Sequence, residues 1–156
     1  MADAYAAGLA MLARRELSTA QVRQRLARKG FGPDAAEDAV ERLRRAGALD
    51  DERTARLLAR RSAHVRMHGR QRAVRELQQR GIGPDLARRA VEAEYGQLDE
   101  QEMLEQALVR RLDGPLDSRA ALRRTYQRLV RQGFDAAAVL AALRRHEAHG
   151  SDDGAD

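Results

Sequence analysis

The sequence predicts an all-α protein made of three tandem three-helix repeats, stacked as an elongated, curved helical rod. Three observations carry this. Of 156 residues, 43% are hydrophobic but only 3% aromatic, and none is tryptophan, so the core must be built from Leu, Val, Ala and Met. Such residues suit helices better than strands. A glycine followed by an apolar residue recurs as Gly30-Phe31, Gly81-Ile82 and Gly133-Phe134, at intervals of 51 and 52 residues. A fixed period near fifty marks a repeat architecture. Around each glycine the same offsets are apolar: Leu26, Leu77 and Leu129 stand four before it, Val40, Val91 and Leu143 ten after.

The first helix of each repeat is expected at about 4–14, 51–63 and 100–112. Two of these starts carry caps. Asp99 is followed by Glu102 and flanked by Leu98 and Met103, the pattern of a capped start with a hydrophobic staple, and Asp50 and Asp51 serve the same purpose more loosely. The second helices are expected at about 19–29, 70–80 and 118–132, each ending on its glycine, which supplies the left-handed closing conformation. The third, at about 33–45, 84–95 and 136–146, open on Pro33, Pro84 and the capping residue Asp135. Their apolar residues, such as Ala36, Ala39, Val40 and Leu43, recur at helical spacing. A unit of about fifty residues buries too little surface alone, whereas stacked units share a core. The predicted boundaries are 1–48, 49–97 and 98–147, with 148–156 a disordered acidic tail and 113–117 an internal loop.

Charge is segregated. Lysine and arginine total 29 against 24 acidic residues, and Lys29 is the only lysine. Between Arg53 and Arg80 nine arginines face the single carboxylate of Glu76, whereas residues 92–106 hold six carboxylates and no base. The other second helices are also basic, through Arg23, Arg25, Arg28 and Lys29, and through Arg119, Arg123, Arg124, Arg128 and Arg131. Nine cations without sequence partners repel one another, so an external polyanion or acidic groove is the simplest compensation. The opposing reading makes these arginines partners of the neighbouring acidic helices. The candidate partner- or nucleic-acid-binding residues are Arg25, Arg28, Lys29, Arg60, Arg61, Arg66, Arg70, Arg72, Arg75, Arg124 and Arg128.

Catalytic chemistry finds no constellation. The absence of cysteine removes disulfides, thiolate metal sites and thiol nucleophiles together. His64 and His68 have the spacing of a helical metal pair but no carboxylate between them, which points to a surface or loop role. No glycine-rich phosphate loop precedes a Lys-Ser/Thr pair, and no serine has a nucleophile-elbow context. Too few aromatics are present for base-stacking platforms. A non-enzymatic protein without cofactor or metal is therefore expected. No apolar run is long enough to span a membrane and no basic leader opens the chain, so a soluble cytoplasmic protein, not membrane-bound and monomeric, is the expectation.

The segment Leu12-Ala13-Arg14-Arg15-Glu16-Leu17-Ser18, followed by Val22, Leu26 and Lys29-Gly30-Phe31, resembles the first repeat signature of the RecX family of bacterial recombination regulators. Leu49-Asp50-Asp51-Glu52-Arg53, then Gly69, Arg75-Glu76-Leu77 and Arg80-Gly81-Ile82, resembles the second. The resemblance runs from about Tyr5 to His146 and implies three three-helix repeats and binding to the RecA recombinase. It further implies that the chain lodges in the groove of the RecA filament on single-stranded DNA, mainly as an inhibitor. ATP hydrolysis, strand exchange and filament growth are the steps it would hinder in DNA repair and recombination. Thr54 stands where the family usually has an aromatic residue, and Met67-His68-Gly69 departs from the usual glycine-centred start of the next helix. Two other readings stay open: a module that binds DNA directly, since basic three-helix units resemble helix-turn-helix proteins in outline, or a helical adaptor for another partner.

Overall fold

Helix propensity and end signals set the local structure. The computed structural model describes residues 3–112 and 114–152, and among them it contains nine α-helices and no strand. In order these are α1 (Ala4–Arg14), α2 (Thr19–Arg28), α3 (Pro33–Arg45), α4 (Asp51–His64), α5 (Arg70–Gln79), α6 (Pro84–Tyr95), α7 (Glu100–Arg111), α8 (Arg119–Arg131) and α9 (Ala136–Asp152). Eight of the nine end within a residue of expectation. The exception is α9, expected to stop near His146, which runs to Asp152 because no breaker precedes Gly150. Along it the His149 ring Nδ1 meets the Arg145 carbonyl at 2.7 Å. The tail expected from 148 is thus helical to Asp152, while 153–156, like Asp113 of the expected loop, lie outside the described residues.

The end signals act as their chemistry requires. Ser18 and Gln21 form a reciprocal capping box on α2, Asp99 accepts from the Gln101 and Glu102 N–H groups on α7, and Asp135 accepts from the Ala138 N–H on α9. Asp50 accepts from the Arg53 N–H at 3.1 Å on its own helix, whereas Asp51 reaches across to the Thr19 N–H at 2.7 Å. Pro33 sits in the first turn of α3, where its missing N–H costs nothing.

The chain divides into two compact units. The first comprises residues 1–59 and 74–90, the second 60–73 and 91–156, so the division passes through α4, α5 and α6.

In the first unit α1 and α2 both pack on α3, burying Leu17, Val22, Leu26, Val40, Leu43 and Leu49, each 2% exposed or less. Burying such side chains stabilises by roughly 1.5–3 kcal/mol apiece. Gly8 in α1 is part of this fit: a Cβ there would come within 2.6 Å of Leu43 Cδ1. Thr54 is buried where an aromatic residue was expected, and its hydroxyl lies 2.9 Å from Glu16 Oε1 and 3.0 Å from the Asp50 carbonyl. Its polar atom is therefore satisfied. The end of α5 meets the start of α2, where the Ser18 hydroxyl donates to the Arg80 carbonyl at 2.6 Å. Gly81, at φ +87°, lies so close that a Cβ would come within 2.8 Å of Ser18 Oγ and Ala20 Cβ.

In the second unit α7, α8 and α9 pack mutually around Leu104, Leu108, Leu129, Phe134, Val139 and Leu143. Tyr95 is buried, with its hydroxyl donating to the His68 carbonyl at 2.7 Å. The junction of the first unit has a counterpart here. The Gly69 N–H donates to the Gln132 carbonyl at 2.7 Å, and Gly133, at φ +96°, would place a Cβ within 2.5 Å of Arg72.

Candidate functional site

Placing the arginines in the fold separates those that hold the structure from those that face outward. In the first unit, Arg53 donates to Glu16 at 3.0 Å and to the carbonyls of Gly47 and Ala48, and Arg23 makes a bidentate pair with Glu37 at 2.8 and 3.1 Å. In the second, Arg70 bridges two acidic helices, pairing with Glu92 of α6 and, at 2.7 Å, with Glu100 of α7. This corrects the expectation that Glu76 alone opposes the block from Arg53 to Arg80. For Arg53 and Arg70 the compensating charge is internal, brought by helix packing from 22 to 37 residues away, in Arg70's case from the acidic stretch that starts at Glu92.

Others of the block remain open. The side chains of Arg60 and Arg61 on α4 in the second unit, and of Arg75 on α5 in the first, are exposed and make no ion pair among the described residues. Arg28, Lys29, Arg66 and Arg124 are also exposed.

Two arginine groups come together. In the first unit Arg25 is half-buried, and burial, followed by the charges of Arg15, Arg28 and Arg80, holds its guanidinium below the ordinary arginine range. The end of α5 is thereby brought beside the basic face of α2. In the second unit the corresponding group centres on Arg111, a residue the sequence did not single out. Burial depresses its pKa most, then the charges of Arg110, Arg72 and Arg128. Its Nη2 donates to the Arg66 carbonyl at 3.0 Å, while Arg128 donates to the Arg111 carbonyl at 2.9 Å. Arg72 reaches the Arg131 carbonyl and Gln132 Oε1, both at 3.3 Å. Guanidinium groups stay protonated in proteins, so both groups are concentrations of positive charge.

The histidines do not form a pair. Helix α4 ends at His64, whose exposed ring lies 2.6 Å from Glu94, and His68 lies in the loop that follows, so each falls in the surface or loop setting expected, although the His68 side chain is buried there. Among the described residues no three His, Asp or Glu side chains gather as a metal site would need, and no helix is long and apolar enough to cross a membrane.

Two family models match the chain, "RecX, first three-helix domain" over residues 4–43 and "RecX, second three-helix domain" over 50–91. They cover α1 to α3 and α4 to α6. The chain is 36% identical over 141 residues to the regulatory protein RecX of Syntrophotalea carbinolica, a match spanning 88% of this chain and 92% of the relative. Against the regulatory protein RecX of Trichlorobacter lovleyi it is 36% identical over 139 residues, covering 85% and 88%, and against that of Halorhodospira halophila 37% identical over 139 residues, covering 87% and 83%. The crystal structure of RecX from Lactobacillus salivarius superposes with a TM-score of 0.75 over 93% of this chain and 95% of that one, at 16% identity, a likeness of fold.

Proposed function

Because the chain belongs to the RecX family of regulatory proteins, we propose that it is a non-catalytic modulator, mainly an inhibitor, of the RecA recombinase. It acts in the cytoplasm as a monomer of three repeats, 1–48, 49–97 and 98–147, binding the groove of the RecA filament on single-stranded DNA. Occupation of that groove hinders ATP hydrolysis, strand exchange and filament growth. The contacts assigned to partner or DNA are Arg25, Arg28 and Lys29 on or beside α2, Arg60, Arg61, Arg66, Arg72 and Arg75 in the central arginine block, and Arg124 and Arg128 on α8. Arg70, included on sequence grounds, is better assigned to holding α6 and α7 through Glu92 and Glu100.

One observation carries this reading best: Arg60, Arg61 and Arg75 are exposed and unpaired among the described residues, although acidic side chains are plentiful in the chain. Exposed cations of this kind contribute little to folding and raise the rate and strength of association with polyanions. The combined Arg60→Ala, Arg61→Ala and Arg75→Ala variant should keep its fold to within about 0.5 kcal/mol per site. Its co-sedimentation with RecA filaments on single-stranded DNA should weaken at least tenfold. Undiminished co-sedimentation would remove these residues from the interface. Tight binding to naked duplex with no dependence on RecA would instead favour a direct DNA-binding module.

A further inference from the structure

Arg111 presents a chemical imbalance. Its Nη1 is enclosed and has no hydrogen-bond acceptor among the described residues, and the like charges of Arg110, Arg72 and Arg128 act on it. An enclosed N–H of a charged group without an acceptor carries its full desolvation penalty. Like-charged neighbours raise that cost. Among the described residues Arg110 itself reaches the Met67 thioether, a weak acceptor, at 2.9 Å.

Beside this group lies a cavity of about 330 Å³, walled by Arg111, Arg124, Arg128, Ser118, Thr125 and Asp117. Its composition is that of an oxyanion site. Among the described lining residues three arginines stand against one carboxylate, and guanidinium forks match the oxygens of a phosphate in bidentate geometry. The Ser118 hydroxyl oxygen accepts from the Ala121 N–H at the start of α8, which leaves its own proton to donate. Thr125 is committed, its hydroxyl donating to the Ala121 carbonyl at 2.9 Å. The N-terminal turn of α8 opens on the same cavity and favours negative charge.

We propose that this cavity, formed by Arg111 at the end of α7, residues 114–118 and the first turns of α8, is a phosphate-binding site. Arg111 is its central ligand and Arg124 and Arg128 flank it. Occupation requires a rotation of the Arg111 side chain that brings Nη1 to the cavity, where the phosphate oxygens supply the missing acceptor. The phosphate comes either from the backbone of a single-stranded nucleic acid or from free inorganic phosphate, and the two sources are separable by experiment. The site deepens the proposed function by gathering Arg124 and Arg128, already assigned to partner or DNA, around Arg111, and it is tested without RecA, so its failure is distinguishable from failure of the RecA reading.

The test uses the full chain at fixed ionic strength, titrated in separate arms with inorganic phosphate, an oligothymidylate and, as control, sodium acetate. Thermal unfolding and the guanidinium NMR resonances of Arg111 are followed. Phosphate or oligonucleotide at tenfold excess over its Kd should raise Tm by about 3 °C or more, with movement of the Arg111 resonances. The arm that responds identifies the source. In Arg111→Met the response should fall at least tenfold, while Tm without ligand holds or rises because an unsatisfied cation has been removed. Should that variant fail to fold, the wild-type resonances still decide. No response in either phosphate arm, an equal response to acetate, or an unaltered response in Arg111→Met overturns the proposal.

Discussion

Three glycines that look alike in the sequence do different work. Gly30, Gly81 and Gly133 all close a second helix at positive φ, of 93°, 87° and 96°. Gly30 has nothing within 4 Å of a would-be Cβ, so it is needed for its backbone conformation alone. Gly133 would drive a Cβ into Arg72, and Gly81 into Ser18 and Ala20. Gly30→Ala should therefore cost about 1–2 kcal/mol for the left-handed conformation. Gly133→Ala should cost that and a further 1–3 kcal/mol or so for overpacking. Urea unfolding of the two variants checks this, and equal losses would contradict the contact at the α5 start. The conformational role was legible, because a glycine ending a helical pattern is a local signal. The contact was not, since Gly69 and Gly133 are 64 residues apart and nothing local in either segment announces the other. Arg111 escaped notice for the same reason: it lies within an ordinary run, Val109-Arg110-Arg111-Leu112, and only the packed fold shows that one nitrogen lacks an acceptor.

Among the helices, spacing and capping predicted order and bounds closely, because those signals lie within a few residues of the elements they control. Ion pairing between helices was not predictable residue by residue. The acidic stretch from Glu92 was visible, yet that Arg70 would bridge Glu92 and Glu100 depends on how α5, α6 and α7 meet. A second such clamp ties α7 to α9, where Glu105 accepts from Arg145 and meets the His146 ring, each at 2.8 Å. Burial alone would raise the Glu105 pKa, but the hydrogen bonds from Arg145 and His146 outweigh it and hold the carboxyl below 4.5. A carboxylate depressed on folding contributes stability above its unfolded pKa, and that contribution disappears as pH falls through the lower folded value. The stability difference between wild type and Glu105→Gln should thus be constant near neutrality and shrink below about pH 4.5. Urea unfolding across pH 7 to about 3 measures it. A difference that persists undiminished at the acid end would remove Glu105 from the clamp.

For the whole molecule the net charge is +5, and ion pairs such as those of Arg23 and Arg53 remove equal numbers of both signs, so the positive excess stays on arginines outside them. The outward arginines and the two concentrated groups, around Arg25 and around Arg111, carry the charge available to a polyanion. The family was legible from its two repeat signatures, since they couple cap, leucine and glycine positions that few other helical chains combine. Individual contacts were less so, because exposure and pairing are decided only when the helices assemble. The central claim is that these arginines act on RecA, and the most direct measurement is ATP hydrolysis by RecA on single-stranded DNA with the full chain titrated in. Turnover should fall with increasing protein, and the variant lacking Arg60, Arg61 and Arg75 should need at least tenfold more for the same effect. Turnover unchanged at saturating protein would contradict the account.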